Sequence, residues 1–163
     1  MNKRQRIVSL RPIMRAVIQR VSEASVAVEG KVTASIGPGL LILLAVEEND
    51  EATDAEWLAP KIARMRIFPD QDGLMNVAAA DSHLPAIVVS QFTLYASTRK
   101  GNRPSFMRSA RPAKAVPLYE SFNQLLAREL GGEVQTGEFG ADMKVALVND
   151  GPVTIIVDTR ERE

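Results

Sequence analysis

Ile87-Val88-Val89-Ser90-Gln91-Phe92-Thr93-Leu94-Tyr95-Ala96 is apolar at both ends and polar in the middle. Three aliphatics open it, and aromatic and aliphatic residues close it, which is the composition of a buried strand. Ser90, Gln91 and Thr93 interrupt that pattern. A buried polar group without a partner costs about 1–3 kcal/mol. The three side chains therefore either hydrogen-bond locally or line a pocket. Alternate residues of a regular strand share a face. Gln91 and Thr93 are expected on one face, with Ser90 and Phe92 on the other, unless the strand bends or bulges.

The sequence on either side is patterned from Met14 onward. Residues 15–21 and 24–28 predict two strands, Glu29-Gly30 a turn, and residues 31–36 a third strand. Gly37-Pro38-Gly39 is punctuation before residues 40–46, a continuous apolar run expected to be buried on both faces. Short strands with tight turns predict antiparallel pairing. Thr53-Asp54-Ala55-Glu56 has the form of a capping box, and Leu58, Ile62 and Met65 follow at helical spacing. Pro60 predicts a kink or a late start there. Asp70-Gln71-Asp72-Gly73 predicts a turn, and residues 74–77 a short strand. Leu118, Phe122, Leu125, Leu126 and Leu130 mark one face of a second helix, with Pro117 suited to its first turn and Gly131-Gly132 to its end. Strands are expected again at residues 133–136, 144–148 and 153–158, the last two joined by Asn149-Asp150-Gly151-Pro152. The fold class that follows is α+β: a largely antiparallel β-sheet or barrel with two helices packed outside.

A chain of 163 residues has the length of one domain, with 45% hydrophobic and 25% charged residues. The domain is expected over residues 14–163. Residues 1–13 carry Lys3, Arg4, Arg6 and Arg11 without an acid, and are expected to be a disordered basic extension or to follow an upstream start codon. No apolar run reaches the roughly 18 residues of a membrane span. The formal net charge is zero, so nucleic-acid binding would rest on a local patch.

Several chemistries are excluded. With no cysteine there is no disulfide, thiolate metal site or cysteine nucleophile. The one histidine, His83, stands before Leu84-Pro85 in an apparent loop and is read as an exposed residue, not a triad base. No phosphate-binding glycine loop and no acidic metal-ligand cluster occurs. Chemistry is left to hydroxyls, backbone amides or groups on the substrate. Thr93 is a conceivable nucleophile without an identifiable base. Its alternative is scaffolding, with side-chain and backbone donors around a developing oxyanion. Arg99, Lys100, Arg103, Arg108, Arg111 and Lys114 lie in a stretch free of acids. That loop is either a solvated surface or a contact for an RNA backbone.

Ordered motifs along residues 14–159 resemble one family, the D-aminoacyl-tRNA deacylases. They are Met14-Arg15-Ala16-Val17-Ile18-Gln19-Arg20-Val21, Arg66-Ile67-Phe68, Gly73-Leu74-Met75-Asn76, Ser90-Gln91-Phe92-Thr93-Leu94, Arg99-Lys100-Gly101-Asn102-Arg103-Pro104-Ser105-Phe106, Gly137-Glu138-Phe139-Gly140-Ala141-Asp142-Met143 and Asn149-Asp150-Gly151-Pro152-Val153-Thr154. Leu74 and Ser97 depart from the family's usual lysine and aspartate. The resemblance implies a cytoplasmic homodimer, with the active site at the subunit interface, that needs no metal or cofactor. It implies hydrolysis of the ester of D-aminoacyl-tRNA, and of glycyl-tRNA mischarged on tRNA-Ala. Ser90, Gln91, Phe92 and Thr93 would form the catalytic strand. Gly151 and Pro152, as a cis pair inserted from the partner, would exclude L substrates. Phe139, Met143 and Asn149 would hold the substrate and its adenosine, and Arg99, Lys100 and Arg103 the tRNA backbone. Two other classes are open to this sequence: an RNA- or DNA-associated binding module using the basic loop of residues 99–114, and a structural dimer with no ligand.

Overall fold

The computed structural model describes residues 14–161; the expected basic extension over residues 1–13 lies outside them. The elements are β1 (Arg15–Val28), β2 (Lys31–Ile36), β3 (Gly39–Ala45), α1 (Ala52–Ala63), β4 (Phe68–Pro69), β5 (Met75–Val77), β6 (Ala86–Ser90), α2 (Pro112–Leu130), β7 (Val134–Thr136) and β8 (Met143–Asp158). β4 and β5 form a separate small hairpin.

β1 is the spine. The two strands expected at residues 15–21 and 24–28 are one, and so are those expected at 144–148 and 153–158. β1 pairs antiparallel with β3 through its first half, with β2 through its second, and with β8 along both. Its pairing with β8 is interrupted twice, at Ser22 and, more widely, at Arg20. Gln19 faces Thr154 and Val21 faces Asn149, so residues 150–153 of β8 stand opposite Arg20 alone. Those four residues bulge out of the ladder.

Antiparallel pairing stops at β3. β3 to β6 and β6 to β7 are parallel joints. Parallel neighbours need a crossover of a dozen or more residues, usually a helix, and α1 and α2 lie in those two crossovers. β2 and β7 then approach across the last gap. The Gln135 side chain bridges it, accepting from the Ser35 amide (2.7 Å) and donating to the Ser35 carbonyl (2.9 Å). One side-chain amide thus does what a rung of ladder would do, and the barrel nearly closes.

β3 is buried on both faces, as its unbroken apolar run predicts. Leu40, Ile42 and Leu44 pack with Leu58 and Ile62 of α1 and Phe122, Leu126 and Leu130 of α2. Leu41 points the other way, into the barrel, with Val21, Val26, Ile36, Ile87 and Val89. Each such side chain contributes about 1.5–3 kcal/mol through burial. Both helix starts differ from expectation. α1 begins at Ala52 after Glu51, whose amide donates to the Asp54 carboxylate (2.9 Å), so the cap lies upstream of Thr53. The helix runs through Pro60, whose carbonyl still accepts from the Arg64 amide (3.1 Å). α2 begins at Pro112, which leaves Pro117 inside it, and ends as expected on Gly131 at φ 62°.

Candidate active site

The strand expected to run through Ala96 stops at Ser90. Gln91 leaves the β region (φ −140°, ψ 75°), and residues Phe92–Tyr95 form a single 3-10 turn. The cause lies at Tyr95. Its ring is buried, with guanidinium carbons of Arg15 and Arg108 5.3 and 5.4 Å from its centroid, and its hydroxyl donates to the Ala45 carbonyl (3.3 Å). Arg15 also donates to the Leu94 carbonyl (2.9 Å) and pairs with Asp158 (2.7 Å). These contacts draw the chain inward, and an extended strand would not make them.

The bend overturns the alternation expected of these residues. Ser90, Gln91 and Phe92 all line one cavity of about 260 Å³. Thr93 joins them through Gln91, whose side-chain amide donates to the Thr93 hydroxyl oxygen (2.5 Å). Phe139, Met143 and Val145 line it too, and α2 contributes Ala115 and Tyr119. Tyr119 carries no mark of function in the sequence, where its place beside the apolar face of α2 reads as core. In the fold its hydroxyl donates to the Val88 carbonyl (2.7 Å), and its ring meets Phe139 edge-on at 5.8 Å. Burial pushes its phenol up to about 12, only partly offset by the hydrogen bond with Asn123, so it stays a neutral donor.

Asn149 does not line this cavity. It closes the bulge of β8, accepting from the Val153 amide (3.0 Å) and donating to Thr154 (2.9 Å). Arg20 holds the bulge from below, donating to the Asp150 carbonyl (2.8 Å) and to the Ile67 carbonyl (2.7 Å). Gly151 and Pro152 are exposed at its tip, joined by a cis peptide bond. Gly151 sits at φ 136°, where a Cβ would come within 2.8 Å of Val153 and 3.0 Å of Arg20. At about 3.3 Å per residue, Gly151 is roughly 20 Å along β8 from Val145 at the cavity wall. The chain's own Gly151 and Pro152 therefore stand apart from its cavity.

Arg99, Lys100 and Arg103 lie elsewhere, exposed around a second concavity with Ser97 and Ser105. His83 is exposed, with Nδ1 3.3 Å from the Leu130 carbonyl oxygen, and takes no part in the cavity. No helix among the described residues is long and apolar enough to cross a membrane.

Comparison with known proteins adds the family. The model of the D-Tyr-tRNA(Tyr) deacylase family matches residues 17–158. A D-aminoacyl-tRNA deacylase of Akkermansia muciniphila is 59% identical over 92% of this chain and 100% of its own. One of Flavobacterium johnsoniae is 55% identical over the same shares. Among solved structures, one titled c-Myc DNA Unwinding Element Binding Protein superposes with a TM-score of 0.80 at 37% identity, over 88% of this chain and 97% of that one. A cavity walled by Ser90, Gln91 and Phe92, in a chain matched over nearly its whole patterned length, places this protein in the D-Tyr-tRNA(Tyr) deacylase family.

Proposed function

We propose that this protein hydrolyses the ester between a D-amino acid and the terminal ribose of tRNA, and so releases both. The observation that carries the proposal is one cavity lined by Phe139 and Met143 together with Ser90, Gln91 and Phe92. The apolar wall suits an adenine, and the polar wall suits an ester carbonyl. Phe92 and Thr93 open the 3-10 turn, so their amides have no carbonyl of that turn to bond. Such amides are donors for an oxyanion. Water adds to the ester carbon, the tetrahedral carbon expels the ribose oxygen, and that oxygen leaves with a proton. In this reading the ribose 2′-hydroxyl, the ester's neighbour on the substrate, orients the water, and positioning carries most of the rate.

Thr93 is not the nucleophile in this mechanism. A general base would accept its proton, whereas Gln91 donates a hydrogen into its oxygen. Stereoselectivity comes from a second copy of the chain. Its Gly151 and Pro152 enter the cavity, leave room for a D side chain or for glycine (including glycyl-tRNA-Ala), and obstruct an L one. The distance of this pair from the chain's own cavity supports a homodimeric site. The protein then works in the cytoplasm, with tRNA. Matched D- and L-aminoacyl-tRNA test the proposal: rapid release from the D ester alone is expected, and equal or absent release from both would end it.

A second reading has one specific support, the nucleic-acid-binding title of the 37% identical structure. A DNA- or RNA-associated module would depend on Arg99, Lys100 and Arg103 and tolerate change at Gly151 and Pro152. Electrophoretic binding assays of these two sets of variants separate the readings.

A further inference from the structure

The basic loop closes on itself. Ser97 and Ser105 exchange backbone hydrogen bonds of 2.8 and 2.9 Å, which gathers Arg99, Lys100 and Arg103 around one concavity. None of these three cations forms an ion pair among the described residues. Phe106 follows the bridge at once. Its ring meets Phe92 edge-on with centroids 5.3 Å apart, and Phe92 lines the cavity. Met107 comes next and is 93% exposed, beside Phe92 at 58% and Phe106 at 37%. Exposed apolar surface thus reaches from Phe92 at the cavity to Phe106 and Met107, and the bridge that gathers the unpaired cations ends at Ser105, next to Phe106 in the chain. Core packing does not account for so exposed a methionine, and the neighbouring charge selects an anionic partner with apolar faces.

We propose that Phe106 and Met107 are a stacking platform for the unpaired nucleotides immediately 5′ of the terminal adenosine, with Arg99, Lys100 and Arg103 holding their phosphates. The proposal rests on the deacylase function above. Unpaired RNA bases stack on aromatic rings whatever their sequence, while basic groups track the backbone. A thioether is polarisable and adapts to the face of any base. Phe106 meets the cavity through Phe92 and the basic loop through Ser105, as a strand whose last base is in the cavity requires.

The test compares kcat/KM on two esters, D-aminoacyl-tRNA and D-aminoacyl-adenosine, which lacks the preceding nucleotides. Met107→Ser and Phe106→Leu together are expected to lower the ratio of the two, tRNA over adenosine, about five- to hundredfold. Phe106→Trp is expected to keep it. Taking the ratio cancels any damage passed from Phe106 to Phe92. An unchanged ratio, with both esters cleaved, overturns this proposal alone. A wild-type protein that cleaves neither ester overturns it together with the deacylase function. An equal slowing of both esters with a shift in oligomeric state assigns the patch to a second copy of the chain and also overturns it.

Discussion

Gln91 and Thr93, two residues apart, are joined side chain to side chain: the Gln91 amide donates to the Thr93 hydroxyl at 2.5 Å. The bond fixes the hydroxyl without drawing off its proton. Thr93→Ala is therefore expected to lose one positioning contact, worth about 1 kcal/mol, and to lower kcat about fivefold. Thr93→Ser is expected to stay near wild type. Single-turnover kinetics with mass spectrometry of quenched enzyme checks both points. A trapped aminoacyl ester on Thr93, or a wholly inactive Thr93→Ala variant that still binds substrate, would show that Thr93 attacks directly.

Arg20 ties two distant carbonyls together, Asp150 at 2.8 Å and Ile67 at 2.7 Å. One belongs to the bulge that presents Gly151 and Pro152, the other to the approach to β4. Hydrogen bonds from a charged donor are worth about 1.5–3 kcal/mol each, less where the acceptor is exposed. Arg20→Ala is expected to lower Tm by about 3–8 °C and to loosen the bulge. If the bulge is the stereochemical filter, the ratio of D- to L-aminoacyl-tRNA hydrolysis falls more than the D rate itself. Equal loss on both stereoisomers would mean that Arg20 serves stability alone.

These two contacts mark where sequence patterning stops. The β3 run was legible because a strand buried on both faces loses its alternation, and Leu40 and Leu41 each found a core. Gly131 was legible as a helix end because the left-handed region favours glycine. The end of β6 was not, since it depends on Arg15 and Arg108 reaching Tyr95 from far along the chain. The parallel joints were missed although helices lie between the strands, because the tight turns of the first three strands set the expectation for all. Asn149 read as substrate-binding by resemblance, and its place in the bulge became visible only with the register of β1 against β8.

Gly137 lies just past β7, where an added Cβ would overlap the Met143 sulfur. That sulfur sits on a flexible side chain lining the cavity. Gly137→Ala is thus expected to fold, since Met143 can move, and to change the wall proposed for adenine. A wall that binds ground state and transition state alike affects KM and not kcat. KM for D-aminoacyl-tRNA is expected to rise about three- to tenfold with kcat nearly constant. A fall in kcat at unchanged KM would place Met143 in the chemistry instead.

Asp50 is fully buried between β3 and α1. One carboxylate oxygen accepts from the Glu47 amide (2.7 Å), and the other has no hydrogen-bond partner. Burial pushes its carboxyl up to about 7 from 3.8; Asp54 and Glu47 add to the rise, while the Glu47 amide and Lys114 oppose it. Between about pH 4 and 7 the folded protein holds this proton and the unfolded chain does not. Stability from this group therefore falls as pH rises through that window. Asp50→Asn keeps the shape and removes the titration. The variant is expected to match wild type near pH 4 and to exceed it by up to about 4 kcal/mol at pH 8. Urea midpoints measured at both pH values decide it. Parallel stability curves for the two proteins would mean that Asp50 is already ionised in the fold, with its second oxygen satisfied by water.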